Sequence, residues 1–165
     1  MLLGDGVIGN TFGFGPNVEG SSPSPPAEIG SAMSIATIVL SAGKGTRMNS
    51  HLPKVLHRVL GREIILWSND SIKSFDNKFF VIGHKHKEVG QYVADGAQTI
   101  IQDEQLGTGH ALSVVLSDKK FLLKKYEYVL VIPGDVPLIE ESTLLQLVDS
   151  VKDSKAAIGL SLIHI

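Results

Sequence analysis

An apolar stretch, Ile35–Leu40, runs directly into a short loop that is rich in glycine and basic residues. The loop reads S-A-G-K-G-T-R-M over residues 41–48, and Lys54 follows it six residues later. Backbone N–H groups in such a loop form a concave site for anions, and basic side chains add positive charge. An ordinary strand-to-helix turn needs neither two glycines nor three basic residues. The loop therefore predicts a phosphate-binding site in an α/β fold.

Two well-known nucleotide-binding motifs do not fit this loop. The P-loop, G-x-x-x-x-G-K-[ST], needs a glycine where the chain has Ile38 and a hydroxyl side chain where it has Gly45. The dinucleotide-binding motif, G-x-G-x-x-G, needs a third glycine where the chain has Met48. A formal match at residues 4–9 has only three residues before it, too few for the strand that this motif requires.

Composition narrows the class of protein. A chain of 165 residues with 43% hydrophobic and 19% charged residues can form one domain with a hydrophobic core. The net charge of −2 argues against a dedicated nucleic-acid binder, and the absence of cysteine excludes disulfides and thiolate metal sites. No apolar run reaches the roughly 18 residues of a membrane span, and no basic segment precedes an apolar stretch at the N-terminus. We expect a cytoplasmic protein without nucleic-acid or membrane partners.

Residues 1–32 differ in kind from the rest. They contain 7 of the 17 glycines and 4 of the 7 prolines, and no lysine or arginine. Such a segment buries too little apolar surface to offset the entropy lost on ordering. We expect residues 1–32 to be a disordered or non-native leader, with Met33 as the biological start; a flexible natural extension is the alternative.

From residue 33 onward, short β-branched runs alternate with longer amphipathic segments. The predicted strands are Ile35–Leu40, Phe79–Ile82, Thr99–Ile101 and Tyr128–Ile132, with Ala156–Leu160 as a further candidate. The predicted helices are Val55–Leu60, Ile64–Ser74, Lys87–Ala94, Thr108–Leu116 and Glu141–Val151. This alternation indicates an open, mostly parallel sheet with helices on both faces. Ligands of such sheets bind at the carboxyl ends of the strands.

The loop after the third predicted strand reads Q-D-E-Q-L-G-T-G-H-A over residues 102–111. Two glycines around Thr108 let the backbone approach a flat ligand closely. The Gln102 amide carries both a donor and an acceptor, which suits the edge of a nucleobase. A plain helix start capped by Thr108 is the alternative, but it does not explain Gly109, which costs about 1 kcal/mol relative to alanine in a helix.

The loop after Tyr128–Ile132 reads P-G-D-V-P-L over residues 133–138. It places one carboxylate, Asp135, at a strand end. Mg²⁺ keeps several waters and usually takes one or two protein carboxylates together with substrate phosphates. Beside a phosphate loop on the same sheet edge, Asp135 is a predicted Mg²⁺ ligand, although a single carboxylate starts such a site without completing it.

In this order, the three loops resemble the uridylyltransferase domain of the bacterial bifunctional N-acetylglucosamine-1-phosphate uridylyltransferase/glucosamine-1-phosphate acetyltransferase family. The first motif marks the wider sugar-phosphate nucleotidyltransferase superfamily, and the second points to the uridine-specific enzymes. The resemblance covers Ser34 to about Gly159. It implies that residues 33–160 form the N-terminal part of a Rossmann-like nucleotidyltransferase domain, truncated at its C-terminal side.

The resemblance also implies roles for individual residues. Lys44 and Arg47 would hold the triphosphate, Arg47 would stabilise charge on the transferred phosphorus, and Lys54 would contact a phosphate of the substrate or product. Asp135 would bind Mg²⁺. The implied contacts to nucleotide and substrate are Leu40, Ala42, Gly43, Lys54, Gln102, Gly107 and Thr108, of which the last three would read uracil.

The implied reaction transfers UMP from UTP to N-acetylglucosamine 1-phosphate, giving pyrophosphate and UDP-N-acetylglucosamine, a precursor of peptidoglycan. The sugar phosphate attacks the α-phosphorus directly, so no side-chain nucleophile is needed. Positioning and charge neutralisation by cations then supply the catalysis, in agreement with a site that has cations, glycines and one carboxylate. The resemblance implies that full-length members form homo-oligomers.

The chain departs from the family in what it lacks. A later Gly-Tyr-Gly-Arg segment, the acceptor-sugar contacts, an asparagine metal ligand and the β-helix acetyltransferase domain do not occur in it. Residues 161–165 do not continue the family pattern and are interpreted as an extraneous tail. We therefore expect a fragment that binds UTP weakly and turns over little. The alternatives are a relative with another base or acceptor, such as a molybdopterin guanylyltransferase, a non-catalytic nucleotide-binding module, or a truncated product without an independent role.

Three histidines are not assigned to chemistry. His84 and His86 follow the second predicted strand without a carboxylate cluster near them in sequence, which is typical of a solvated turn. His110 is interpreted as a packed residue at the start of a helix rather than as a general base.

Overall fold

The computed structural model describes residues 34–160, and the predictions for residues 1–32, Met33 and residues 161–165 lie outside this range. The strands within it are β1 (Ile35–Leu40), β2 (Arg58–Val59), β3 (Arg62–Glu63), β4 (Asn77–Ile82), β5 (Gln98–Ile101) and β6 (Tyr128–Pro133). The α-helices within it are α1 (Ile64–Ser71), α2 (His86–Val89), α3 (Thr108–Leu116), α4 (Lys119–Leu122) and α5 (Glu141–Ser154).

Four of the strands form a parallel sheet in the order β5-β4-β1-β6. The central strand β1 pairs with both β4 and β6. Its Ala36 lies opposite Asn77 in β4, and its Ile35 lies opposite Tyr128 in β6. Ile38 and Val39 in β1 are completely buried, as expected for a parallel strand that is covered on both faces. The predicted open parallel sheet is confirmed.

The core lies in two layers, one on each face of this sheet. Alternate side chains of a strand point to opposite faces. Val39 and Phe80 therefore pack on one face, against residues of α1, α2 and α5. Ile38 and Phe79 pack on the other face, against residues of α3 and α4. Helices cover both faces, as the sequence predicts.

The predicted helix Val55–Leu60 is wrong. Lys54–Leu56 form a single 3-10 turn, and a short antiparallel hairpin of β2 and β3 follows it. The hairpin closes through Leu60 and Gly61, whose φ angles are +53° and +77°. Positive φ at both central residues defines a type I′ turn, which suits the twist of a hairpin and is incompatible with a right-handed helix.

Two other predicted elements differ from the structure. The predicted helix Lys87–Ala94 is a four-residue helix, α2, followed by a 3-10 turn over Gly90–Tyr92. The predicted strand Ala156–Leu160 is wrong, because these residues have no regular secondary structure and lie along α5. A Cβ atom on Gly159 would come within 2.3 Å of the Val151 side chain, so this segment packs on a helix rather than in the sheet.

The topology brings three loops together at one edge of the sheet. Because β1, β5 and β6 are parallel, their carboxyl ends lie on the same side, and the loops 41–57, 102–107 and 134–140 all leave from there. The helices among residues 34–160 are all too short or too polar to cross a lipid bilayer.

Candidate active site

The glycine-rich loop leaves the sheet directly after β1. Ser41 still belongs to the hydrogen-bond ladder, since its N–H donates to the Val81 carbonyl at 2.8 Å. Beyond it, Gly43 and Lys44 are exposed. Among the described residues, the backbone N–H groups of Gly43, Lys44 and Gly45 donate to no protein acceptor. The loop can therefore offer these donors to an anion, as the sequence predicts for a phosphate site.

Gly45 allows the loop to fold back over Lys54. Its φ is +66°, and a Cβ atom at this position would lie 3.0 Å from the Lys54 Cβ. A side chain would be disfavoured there by conformation and by space. The chain then continues into a 3-10 turn over Thr46–Met48. The backbone of Arg47 lies in this turn, and the role of the Arg47 side chain stays a prediction.

An ion pair joins the first loop to the third. The Lys54 Nζ atom donates to Asp135 Oδ2 at 2.6 Å, across 81 residues of sequence. Both side chains remain partly exposed, at 42% for Lys54 and 33% for Asp135. An ion pair this exposed contributes little to folding stability, and both groups stay accessible to a ligand.

Gly134 sets the approach of the third loop. Its N–H donates to the Leu40 carbonyl at 2.9 Å, which continues the pairing of β6 with β1 beyond the strand end. A Cβ atom on Gly134 would lie 2.2 Å from Ser41 Oγ and 3.0 Å from the Leu40 oxygen. Only glycine fits here, and the close approach places the next residue, Asp135, beside Lys54.

The second loop is held by its own hydrogen bonds. The Gln102 N–H donates to the Ile82 carbonyl at 2.8 Å, and the Gln102 side chain is buried. The Gln105 Nε2 atom donates to the Gln102 carbonyl at 2.9 Å and to the Asp103 carbonyl at 3.2 Å. Gly107 adopts a φ of +103° as the N-cap residue, and helix α3 starts at Thr108 without a side-chain cap. The first N–H groups of α3 thus lack a capping side chain.

These three loops enclose one cavity of about 730 Å³. Nine predicted site residues line it: Leu40, Ala42, Gly43, Lys44, Lys54, Gln102, Gly107, Thr108 and Asp135. The volume falls in the range of pockets that bind small molecules and cofactors. The cavity combines basic groups and free backbone donors from one loop with a buried amide from another.

Three residues that shape this cavity are not among the predicted contacts to nucleotide, substrate or metal. Gly45 and Gln105 line it, and Gly134 brings its third wall into place. Gly45 carries a signal in the sequence, because glycine pairs in a loop predict positive φ. Gln105 binds carbonyl groups of its own loop, and Gly134 contacts Ser41 and Leu40 at the end of β1. The approach of Gly134 to β1 has no signal in the sequence.

The carboxylates of this region do not form a metal-binding cluster among the described residues. Between Ser34 and Leu160, no group of three or more histidine, aspartate or glutamate side chains is placed to hold a metal ion. Asp135 is the single carboxylate among the described residues that line the cavity. One carboxylate is compatible with Mg²⁺, which completes its coordination with water and substrate phosphates. The residues present fit a metal that is shared with a phosphorylated ligand.

A parallel α/β sheet that carries a basic glycine loop, an amide-bearing loop and an aspartate loop at one edge is the arrangement expected of a nucleotidyltransferase. The comparisons with known proteins agree with this class. The chain belongs to the family of MobA-like NTP transferase domains, whose model matches residues 37–161.

Within this class, the chain resembles the N-terminal part of the bifunctional protein GlmU. It is 42% identical to GlmU of Thermosipho africanus over 111 residues, which are 67% of this chain and 24% of that protein. The chain thus spans about a quarter of the length of this relative.

Two solved structures share the fold. One is a manganese complex of Rv0371C from Mycobacterium tuberculosis, with a TM-score of 0.57 and 22% identity over 74% of this chain and 61% of that chain. The other is a UDP-glucose pyrophosphorylase complexed with UDP-glucose, with a TM-score of 0.59 and 16% identity over 75% of this chain and 55% of that chain. At these identities the similarity concerns the fold, which is the predicted α/β nucleotidyltransferase fold.

Proposed function

We propose that this chain forms the UTP-binding part of a uridylyltransferase that transfers UMP to N-acetylglucosamine 1-phosphate. The products are UDP-N-acetylglucosamine, a precursor of peptidoglycan, and pyrophosphate. One observation carries the proposal: a single cavity is lined both by Lys44 and Lys54 and by the Gln102 amide. The two lysines suit a triphosphate and the amide suits a base, so one nucleotide can contact both parts of the cavity.

The phosphate-binding wall consists of the loop after β1. Lys44 and the free backbone N–H groups of residues 43–45 would bind the triphosphate, and Lys54 would contact a phosphate of the substrate or product. Arg47 is proposed to stabilise the charge on the transferred phosphorus. In the reaction, a phosphate oxygen of the sugar 1-phosphate attacks the α-phosphorus of UTP, the bond from this phosphorus to the oxygen bridging to the β-phosphate breaks, and pyrophosphate leaves. The protein contributes positioning and electrostatic stabilisation.

The base-binding wall consists of the loop after β5. Gln102 would pair with the edge of uracil, and Gly107 and Thr108 would line the base at the start of α3. Leu40, Ala42 and Gly43 would complete the nucleotide contacts from the first loop. Among residues 34–160 no side chain caps α3, which supports this role because its first N–H groups remain available to a carbonyl oxygen of the base.

Asp135 would hold Mg²⁺, whose charge would offset that of the phosphates. The ion pair between Lys54 and Asp135 supports a shared role of these two side chains at one phosphate. Lys54 Nζ lies 2.6 Å from Asp135, so a phosphate that contacts Lys54 lies close to the same carboxylate. Lys54 and Asp135 would thus act on the same part of the nucleotide.

Nucleotide binding tests the proposal. We expect isothermal titration calorimetry in the presence of Mg²⁺ to show tighter binding of UTP than of CTP or GTP. Lys54→Met should weaken UTP binding about 10-fold or more, because a hydrogen bond to a charged group contributes about 1.5–3 kcal/mol. Lys120→Met is the matched control, since Lys120 is exposed on α4 and does not line the cavity.

Each other outcome has a distinct meaning. Tightest binding of GTP would favour a guanylyltransferase, such as one acting on molybdopterin. The absence of nucleotide binding by the folded chain would contradict the proposal. Equal losses in Lys54→Met and Lys120→Met would mean that the net charge, rather than this site, determines the affinity.

A further inference from the structure

The Nε2 atom of the Gln102 side chain lies within hydrogen-bond distance of two protein groups. Its Nε2 atom donates to the Gly107 carbonyl at 3.3 Å and lies 2.9 Å from His110 Nδ1. Gln102 is only 2% exposed, and it nevertheless lines the cavity. Among residues 34–160 no hydrogen-bond donor reaches its Oε1 atom. The carbonyl oxygen is therefore the one polar atom of this amide that remains for a ligand.

The Gly107 carbonyl determines which way the amide faces. A carbonyl oxygen can only accept a hydrogen bond, so the NH₂ group of Gln102 must be the end that faces it. The same NH₂ group then faces His110 Nδ1, which must accept. An Nδ1 atom that accepts this hydrogen bond carries no proton, which corresponds to the imidazole tautomer with its proton on Nε2. One backbone carbonyl and one imidazole together lock the orientation of the amide.

We propose that His110 is a positioning residue that makes Gln102 present a hydrogen-bond acceptor to the base. This inference rests on the proposed function, in which Gln102 reads the nucleobase. An acceptor at this point pairs with the N3–H of uracil or the N1–H of guanine. Cytosine carries an acceptor at N3, and two facing acceptors repel each other. His110 thus contributes, together with the Gly107 carbonyl, to the choice of base, although its own side chain need not touch the nucleotide.

The alternative orientation shows why an acceptor at His110 is needed. Without it, the 3.3 Å hydrogen bond to Gly107 is the one hydrogen bond among residues 34–160 that still holds the NH₂ group against rotation of the amide by half a turn. The rotated amide would present NH₂ to the cavity, and this group can donate a hydrogen bond to cytosine N3. Losing the imidazole should therefore reduce discrimination between bases rather than abolish nucleotide binding.

Two variants of His110 separate this role from a merely structural one. His110→Ala should lower the ratio of UTP to CTP affinity about fivefold or more, which is the value of one net hydrogen bond. His110→Asn should restore most of this ratio, because an amide oxygen can take the place of Nδ1 as the acceptor. His86→Ala, on a helix outside the cavity, is the control and should leave the ratio unchanged.

A measurement on the unmodified chain avoids the risk that His110→Ala fails to fold. Long-range ¹H–¹⁵N NMR spectra distinguish the two imidazole tautomers, and we expect His110 to carry its proton on Nε2. A proton on Nδ1 would overturn the inference. An unchanged UTP-to-CTP ratio in folded His110→Ala would also overturn it while leaving the proposed function intact. If the unmodified chain shows no preference for UTP over CTP, the proposed function itself fails. That result differs both from a proton on Nδ1 and from an unchanged ratio in His110→Ala.

Discussion

Gly134 lies where β6 leaves the sheet, and its missing side chain decides how closely the third loop approaches the first. A Cβ atom here would lie 2.2 Å from Ser41 Oγ, a side chain that is 2% exposed and has little room to move. We expect Gly134→Ala to destabilise the fold by about 1–3 kcal/mol, the usual cost of overpacking. Urea denaturation followed by circular dichroism measures this change.

Gly43→Ala is the control for the stability of Gly134→Ala. A Cβ atom on Gly43 would meet nothing within 4 Å, so the free energy of unfolding should stay close to that of the unmodified chain. Equal stability of Gly134→Ala and the unmodified chain would contradict the close packing of β6 against the end of β1.

At the scale of elements, the β2–β3 hairpin contains a residue that is poorly suited to its backbone. Leu60 has a φ of +53° and its side chain is 81% exposed, so the strained conformation is not offset by burial. Asparagine followed by glycine is the preferred pair for a type I′ turn. We expect Leu60→Asn to stabilise the chain by up to about 1 kcal/mol, because a non-glycine left-handed residue costs about 1–2 kcal/mol. The midpoint of urea denaturation measures this gain.

Leu60→Ala distinguishes this explanation from the simple removal of an exposed apolar side chain. Alanine also removes the leucine side chain, but it keeps a Cβ atom and has no polar group to support positive φ. It should therefore give little or no gain. A similar gain in stability in both variants would mean that the gain comes from removing exposed apolar surface and not from the conformation of the turn.

At the scale of the whole molecule, the sheet has an edge that carries apolar residues. In the described part of the chain, β6 pairs only with β1. Its residues Val129 and Val131 are 43% and 39% exposed, and Leu160 nearby is 82% exposed. Unpaired strand edges promote association between chains, and charged side chains oppose it. We expect Val131→Lys to lower self-association, measured by sedimentation velocity over a range of protein concentrations.

Leu123→Lys is the control for this prediction. Leu123 is 84% exposed at the end of α4, so the variant adds the same charge and removes a similar apolar surface away from β6. It should change self-association less than Val131→Lys does. Equal effects of the two variants would mean that net charge, and not the strand edge, controls association.

Several features of the chain were determined by sequence alone. Buried runs such as Ile35–Leu40 predict parallel strands because both of their faces must be covered, and strand ends in such a sheet share one edge. The motifs at residues 41–48, 102–111 and 133–138 follow three of these ends, so the location of the site could be predicted. The hairpin at Leu60 could not be predicted from the sequence. Leucine rarely adopts positive φ, and its apolar neighbours have the spacing of a helix.

Tertiary structure decided the contacts between the loops. Lys54 pairs with Asp135 across 81 residues, and this depends on the register of β6 against β1 and on the close approach at Gly134. His110 meets Gln102 because α3 starts close to the end of β5, and the Gly107 carbonyl then fixes the roles of donor and acceptor. Local patterns in a sequence specify the conformation of each segment. The distances between side chains on different segments depend on how the sheet and its helices pack, so they follow only from the folded structure.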